Sequence, residues 1–218
     1  MKKILIAVPK GRILQELDKI FKVLSLLPEQ DFYNENSRKI IFNADLKISE
    51  KQNIAVELIK VRSFDVANFV RFGAADLGIC GADVLLEFKN PDILSLLDLN
   101  IGKCHLAIAS LKYNNLANCI NNIRVATKYP NIANEYLSKI GIQPQIIKLN
   151  GAIEIACKLN LADFIIDLVS TGNSLKENNL TQIEKVCDIS SILIANRQSF
   201  KINNIIINEI LNKLVNVL

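Results

Sequence analysis

Residues 164–175 read Phe164-Ile165-Ile166-Asp167-Leu168-Val169-Ser170-Thr171-Gly172-Asn173-Ser174-Leu175. The apolar start, Phe164 to Ile166, is a buried-strand pattern. The Ser-Thr-Gly-Asn-Ser run is a turn, and one or two helical turns are expected after Gly172. A strand, a turn of hydroxyls and glycine, then a helix start can cradle a phosphate. Backbone N–H groups point at the anion, side-chain hydroxyls add donors, and glycine lets the backbone approach closely. The same residue types also cap helices without binding anything, so the stretch alone leaves both readings open.

Outward from this stretch, apolar runs alternate with helical patterns. Strands are expected at 3–8, 39–42, 54–61, 76–80, 104–110, 123–127, 145–149 and 190–195. Ile13, Leu14, Leu17, Ile20, Phe21 and Leu24 recur at helical spacing. Further helices are expected at 64–72, 81–88, 130–140, 152–159 and 203–217. Asp45–Gln52 and Asn114–Asn122 read as polar loops. Strands separated by helices predict an α/β chain with largely parallel sheets. Lobe crossings near 99–102 and 180–185 place residues 1–100 and 181–218 in a first lobe. Residues 101–180, with the candidate phosphate turn, then form a second.

Pro9-Lys10-Gly11-Arg12 follows the first strand. Ligands of open α/β sheets collect at such strand ends. Arg12 could grip a phosphate with two parallel hydrogen bonds and Lys10 could act as a point charge, although a solvated turn would look the same. Glu154, early in a predicted helix, and Asp167, at a strand end, could hold vicinal ribose hydroxyls. Alternatively Glu154 only complements the helix dipole.

The composition excludes several classes. A net charge of +4 with no Trp and 6% aromatics suits small anionic ligands, not a nucleic-acid stripe with stacking rings. The five cysteines contain no CxxC pair and His105 is the one histidine, which speaks against a structural zinc site and for reduced thiols. The apolar run at 4–8 is shorter than the roughly 7–15 residues of a secretory core. No stretch approaches the ~20 residues of a membrane span. A cytoplasmic protein without nucleic-acid or membrane partners is expected.

Several segments, in order, resemble the short-type ATP phosphoribosyltransferase family: Ala7 to Arg12, Ser37-Arg38-Lys39, Arg62 through Glu87 with Gly-Ala-Ala-Asp-Leu-Gly at 73–78, Leu97-Asp98-Leu99, Ala126 to Pro130, Lys148 to Gly151, and Asp167 through Leu175. The resemblance implies a two-lobed, periplasmic-binding-protein-like (type II) α/β fold with its active site in the inter-lobe cleft. It implies condensation of ATP with 5-phosphoribosyl 1-diphosphate to phosphoribosyl-ATP and diphosphate, the opening step of histidine biosynthesis. Ser170, Thr171, Gly172, Asn173 and Ser174 would then hold the ribose 5-phosphate, and Asp167 and Glu154 the ribose hydroxyls. Lys10, Arg12 and Arg38 would be catalytic cations. Arg12, Arg38, Asp83 and Lys128 would contact ATP. Mg2+ would be carried by substrate phosphates, with no protein metal site. The chain stops at Leu218 after one helix, so a separate regulatory subunit similar to histidyl-tRNA synthetase is expected, with a homodimer of this chain inside a hetero-octamer. Ser174 stands at a usual threonine, and Ala67 and Cys157 at common prolines. A two-lobed binding module without catalysis is the alternative.

Overall fold

β1, Ile4–Pro9, is apolar and almost wholly buried, as a strand covered on both faces must be. Its side chains alternate between two cores. Ile4, Ile6 and Val8 enter one, while Ala7 enters the other with Leu5 packed against it. β4 (Gln52–Val61) lies parallel on one side, in register from Ile4 opposite Val56 to Pro9 opposite Val61. β5 (Leu77–Gly81) lies parallel on the other side. Antiparallel strands extend this trio outward: β3 (Ile41–Ser49) on β4, β2 (Leu26–Pro28) on β3, β12 (Ser191–Asn196) on β5, and β6 (Ile93–Asp98) on β12. The order is β2-β3-β4-β1-β5-β12-β6. The computed structural model describes residues 3–34, 36–49, 52–111 and 123–217, with backbone only at 12, 48, 49, 52 and 53.

α1 (Arg12–Leu24) buries the predicted stripe, with Leu17 and Phe21 fully enclosed, against the same core as α8 (Asn204–Val215). Each such side chain stabilises the fold by roughly 1.5–3 kcal/mol. α2 (Ser63–Arg71) covers the opposite face through Val66, Ala67 and Val70, joined there by Val84 of α3 (Ala82–Phe88). The short α7 (Arg197–Ile202) is capped by Asn196, whose side chain accepts from the N–H groups of Gln198 and Ser199.

The second sheet has the order β11-β7-β10-β8-β9. Its strands are β7 (Cys104–Ser110), β8 (Arg124–Thr127), β9 (Gln145–Lys148), β10 (Phe164–Val169) and β11 (Thr181–Ile189). β10, β8 and β9 are mutually parallel neighbours, and β7 runs antiparallel to both β10 and β11. α4 (Pro130–Lys139), α5 (Ile155–Lys158) and α6 (Asn173–Glu177) connect them, with Pro130 in the first turn, where its missing N–H costs nothing. The chain divides into two units: Met1–Leu85, Lys89–Gly102 and Ser190–Leu218, and Leu86–Phe88 with Lys103–Ile189.

Four sequence expectations need correction. The sheets are mixed, each a parallel trio flanked by antiparallel strands. The second crossing falls at 189–190, because Thr181–Ile189 is a strand of the second sheet and not the start of a return to the first. Irregularities at Gln182/Glu184 and Lys185/Cys187 break its alternation and leave it exposed at the sheet edge, so it lacks a strand signature. Residues 45–49 are strand, not loop, with Ala44 and Leu46 buried beneath outward Asp45 and Lys47. The helix expected at 152–159 is cut to 155–158, because Ala152 and Asn160 both adopt positive φ (51° and 53°). The expected loop at 114–122 lies outside the described residues.

Candidate functional site

In the second unit the candidate residues sit where β10, β8 and β9 end. Asp167 is half-buried in β10, and its carboxylate accepts from the Leu168 N–H at 2.8 Å. Val169 is buried, and Ser170 and Thr171 emerge exposed beyond it. Gly172 then takes φ 74°, ψ 5°, the left-handed region that glycine enters without a Cβ penalty. This reverses the chain into α6, whose Leu175 is buried and anchors the turn. The Asn173 N–H faces the Thr171 hydroxyl at 3.5 Å, and the Lys176 N–H bonds the Gly172 carbonyl at 3.1 Å. The N–H groups of Ser174 and Leu175 in the first α6 turn have no acceptor among the described residues, which leaves them to a ligand or water. Among the described residues the hydroxyls of Ser170 and Ser174 have no hydrogen-bond partner. The turn therefore offers a tight set of unused donors.

β8 is tied to β10 just before Asp167. The buried Thr127 hydroxyl donates to the Ile166 carbonyl at 2.7 Å and accepts from the Tyr129 N–H at 3.0 Å. Lys128, half-buried, lies between these anchors. Tyr129 is fully buried at the N-cap of α4 and has no capping side-chain bond. Glu87 supplies that cap: its carboxylate accepts from the N–H groups of Asn131 and Ile132 at 3.1 Å, and its carbonyl accepts from Asn131 Nδ2 at 3.0 Å. After β9, Leu149 N–H bonds the Thr127 carbonyl at 3.0 Å, and the chain turns through Ala152 to Glu154. Glu154 sits at the N-cap of α5, yet its side chain makes no capping bond and has no partner among the described residues. Its carboxylate remains available, unlike that of an ordinary cap. Cys157 in α5 is buried, and burial pushes its thiol up to about 11.

In the first unit the cations gather where β1 and β4 end. Lys10 is exposed, and its N–H bonds the Val61 carbonyl at 2.9 Å. Gly11 takes φ 93°, ψ −151°, closed to L side chains, and starts α1 directly. Arg12 is the first residue of α1, but its side chain lies outside the described atoms. The parallel register that pairs Pro9 with Val61 brings Arg62 out of the sheet beside Lys10. Arg62 is exposed, a third cation there that the sequence reading did not single out. Arg38 is exposed in the segment leading into β3 and has no partner among the described residues. Asp83 follows β5. It is 5% exposed, and its Oδ1 stands 2.0 Å from where a Gly81 Cβ would be, so Gly81 is what lets it fold back. Burial first, and Asp83 second, pushes the Cys80 thiol up. Asp83 is thus enclosed, not presented like Lys10 and Arg38.

The structure accordingly brings Lys10 and the Arg38 segment together in one unit. In the other it brings together Asp167, the 170–174 turn, Lys128 and Glu154. Among the described residues no three His, Cys, Asp or Glu side chains converge to hold a metal ion, and no helix is long and apolar enough to cross a membrane.

A family model described as HisG: ATP phosphoribosyltransferase matches residues 62–216. The ATP phosphoribosyltransferase of Rhizorhabdus wittichii is 45% identical over 202 residues, covering 91% of this chain and 88% of its own. The ATP phosphoribosyl transferase (HisG:HisZ) complex from Thermotoga maritima contains a chain that superimposes with a TM-score of 0.77 at 28% identity, over 98% of both chains. The BvgS VFT2 domain of Bordetella pertussis superimposes at TM-score 0.63 and 12% identity, over 99% of this chain and 88% of that one, which shows the fold alone. Together these likenesses show the two-lobed, periplasmic-binding-protein-like (type II) fold class.

Proposed function

Because the chain belongs to the HisG family of ATP phosphoribosyltransferases, we propose that its two residue groups divide one reaction between them. The reaction condenses ATP with 5-phosphoribosyl 1-diphosphate to give phosphoribosyl-ATP and diphosphate, the first step of histidine biosynthesis. The 170–174 turn holds the ribose 5-phosphate, and Asp167 and Glu154 take the ribose hydroxyls. Lys10, Arg12 and Arg38 face the diphosphate and the ATP phosphates, and Lys128 and Asp83 lie on the ATP side. The observation that carries this reading is the turn itself, with its αL glycine, its two unpartnered hydroxyls and the carboxylate of Asp167 just upstream in β10.

The chemistry fits that division. Adenine N1 brings its own lone pair to the anomeric carbon, so bond formation needs no strong base. The bond to diphosphate breaks as the sugar gains oxocarbenium character, and negative charge grows on the leaving group. Cations fixed beforehand at that charge lower the barrier, and losing one such contact commonly costs about 2.7–4 kcal/mol. The turn contributes mainly to binding, since the 5-phosphate does not change charge. A divalent ion, which we take to be magnesium, would arrive on the substrate phosphates and neutralise part of their charge. The donors of the turn are N–H and hydroxyl groups suited to anions, and Mg2+ usually keeps its waters and binds through phosphates.

The Thermotoga HisG:HisZ complex supports a separate regulatory subunit; we take that subunit to be of histidyl-tRNA-synthetase type, this chain to form a homodimer within a hetero-octamer, and the setting to be cytoplasmic. The site assignment is tested by Thr171→Ala and Ser174→Ala, both at exposed positions. Each removes one donor to a charged group, worth about 1.5–3 kcal/mol. KM for the phosphoribosyl donor is expected to rise about tenfold or more while KM for ATP stays near wild type. Unchanged KM for the donor in both variants would remove the turn from this role.

A further inference from the structure

Lys60, in β4, is a lysine with only 5% of its surface exposed. Its ammonium donates to the Phe32 carbonyl at 2.7 Å and to the Asn34 carbonyl at 3.4 Å. It lies 4.4 Å from the Phe42 ring centroid and 5.5 Å from that of Phe32. Two carbonyls and two ring faces therefore satisfy a charge that burial would otherwise disfavour. Among the described residues no carboxylate pairs with it directly; burial and, less, the neighbouring Lys10 oppose the charge, while Asp31 supports it from a distance.

What Lys60 grips is the segment that presents Arg38. Its side chain holds the carbonyls of Phe32 and Asn34 on one flank, and its backbone N–H bonds the Ile40 carbonyl at 3.0 Å on the other. The Asn34 carbonyl also accepts the Ser37 N–H at 3.3 Å, next to Arg38. Asp31 closes the same segment by accepting from Ser37 Oγ at 2.5 Å and Asn34 Nδ2 at 2.8 Å. Residue 61, the next along β4, receives the Lys10 N–H. Two consecutive residues thus moor both the Lys10 turn and the Arg38 segment. We propose that Lys60 is a positioning residue: it fixes the Arg38 guanidinium beside Lys10 for the phosphate groups of the substrates, without touching them itself. This rests on the reading of Arg38 as a phosphate-facing cation.

A mutant cycle on the full chain, assayed by adduct absorbance, tests it. Lys60→Met keeps the stem and removes the ammonium. Its kcat/KM is expected to fall about ten- to hundredfold, the scale of a charged group displaced by about 1 Å. Arg38→Ala should fall at least as far. In the Arg38→Ala background Lys60→Met should then change kcat/KM by less than about twofold, because its effect passes through Arg38. Equal losses from Lys60→Met with and without Arg38 would show general destabilisation and overturn the proposal, as would a Lys60→Met enzyme with wild-type kinetics. Wild-type kinetics for Arg38→Ala would instead sink the underlying reading. Should Lys60→Met not fold, Asp31→Asn, at an exposed position of the same segment, and Ser37→Ala, at a half-buried one, decide the matter. Each should lower kcat/KM in the presence of Arg38 and not in its absence, and any other pattern counts against the proposal.

Discussion

Helix α4 begins at a residue that cannot cap it, and this makes Glu87 a sharp test. Tyr129 occupies the N-cap but is spent on packing, so the first-turn N–H groups of Asn131 and Ile132 depend on the Glu87 carboxylate. Glu87 is 7% exposed and Ile132 8%, so water does not readily replace the lost acceptor at Ile132. In Glu87→Ala one buried donor bears the full cost of about 1–3 kcal/mol, and the partly exposed Asn131 N–H adds a fraction of that. The expected loss is about 2–3 kcal/mol. Glu87→Gln keeps one acceptor oxygen and loses the charge at the helix start, about 1 kcal/mol. For a chain of this size each kcal/mol moves the thermal midpoint by about 2–4 °C, giving about 4–12 °C for alanine and 2–4 °C for glutamine. Scanning calorimetry reads the midpoints. Hydrogen exchange at Asn131 and Ile132 reads the site itself, and both amides should lose protection in Glu87→Ala. The Asn131 Nδ2 bond goes to the Glu87 backbone carbonyl and survives both changes, so the segment should stay docked. An alanine variant melting within about 2 °C of wild type would refute the capping argument.

Two further outcomes follow from the proposed assembly and from the acid groups. The purified chain without a regulatory subunit should turn over weakly or without sensitivity to histidine, and strong histidine inhibition of the isolated chain would remove the case for a separate regulator. Lys39, and then Asn43, hold the Glu29 carboxyl down at about 2 from 4.5. A depressed carboxyl stabilises the fold above its unfolded value, and the contribution disappears as pH falls from about 4.5 through about 2. Glu29→Gln should therefore flatten the thermal midpoint profile over that window and converge with wild type at its acid end. Parallel profiles would show that the Glu29 contacts contribute nothing.

What the sequence disclosed tracks how local each signal is. β1 and β5 are continuous apolar runs, β10 opens on one at 164–166, and α1 shows its stripe because its buried positions fall at 3.6 spacing. The 170–174 turn was legible for the same reason, since its geometry is set by Gly172 and its immediate neighbours. The β3 alternation of Phe42, Ala44 and Leu46 was present but hidden by Asn43, Asp45 and Lys47, which read as loop composition. β11 gave no usable signal, because its bulges shift which residues face inward. The long-range contacts left no local trace at all. Lys60 bonds a carbonyl 28 residues earlier, and Glu87 caps a helix 44 residues later. Nothing in the composition around either residue names its partner. The enclosure of Asp83 against Gly81 was likewise invisible, although the two are almost adjacent, because burial depends on what packs over them.

The mixed sheets explain why the candidate residues nevertheless fall on one edge in each unit. In the first, β4, β1 and β5 run parallel, and their ends deliver Arg62, Lys10 and Asp83. In the second, β9, β8 and β10 run parallel, and their ends lead into the Glu154 segment, Lys128 and the 170–174 turn. Parallel strands that feed helices place every following loop and helix start on the same edge, where unpaired N–H groups collect. Arg38 looks like an exception, since it precedes a strand. Yet β3 is antiparallel to β4, with Ile41 opposite Ile59, so the start of β3 lies beside the end of β4. A residue just before β3 therefore arrives at the edge that already carries Lys10. Had β3 paired in parallel, Arg38 would stand at the far end of the sheet, nine to ten residues of strand away from that edge, as the lengths of β3 and β4 require. The antiparallel flank that the sequence failed to announce is thus what allows a residue outside the parallel trio to join the cations.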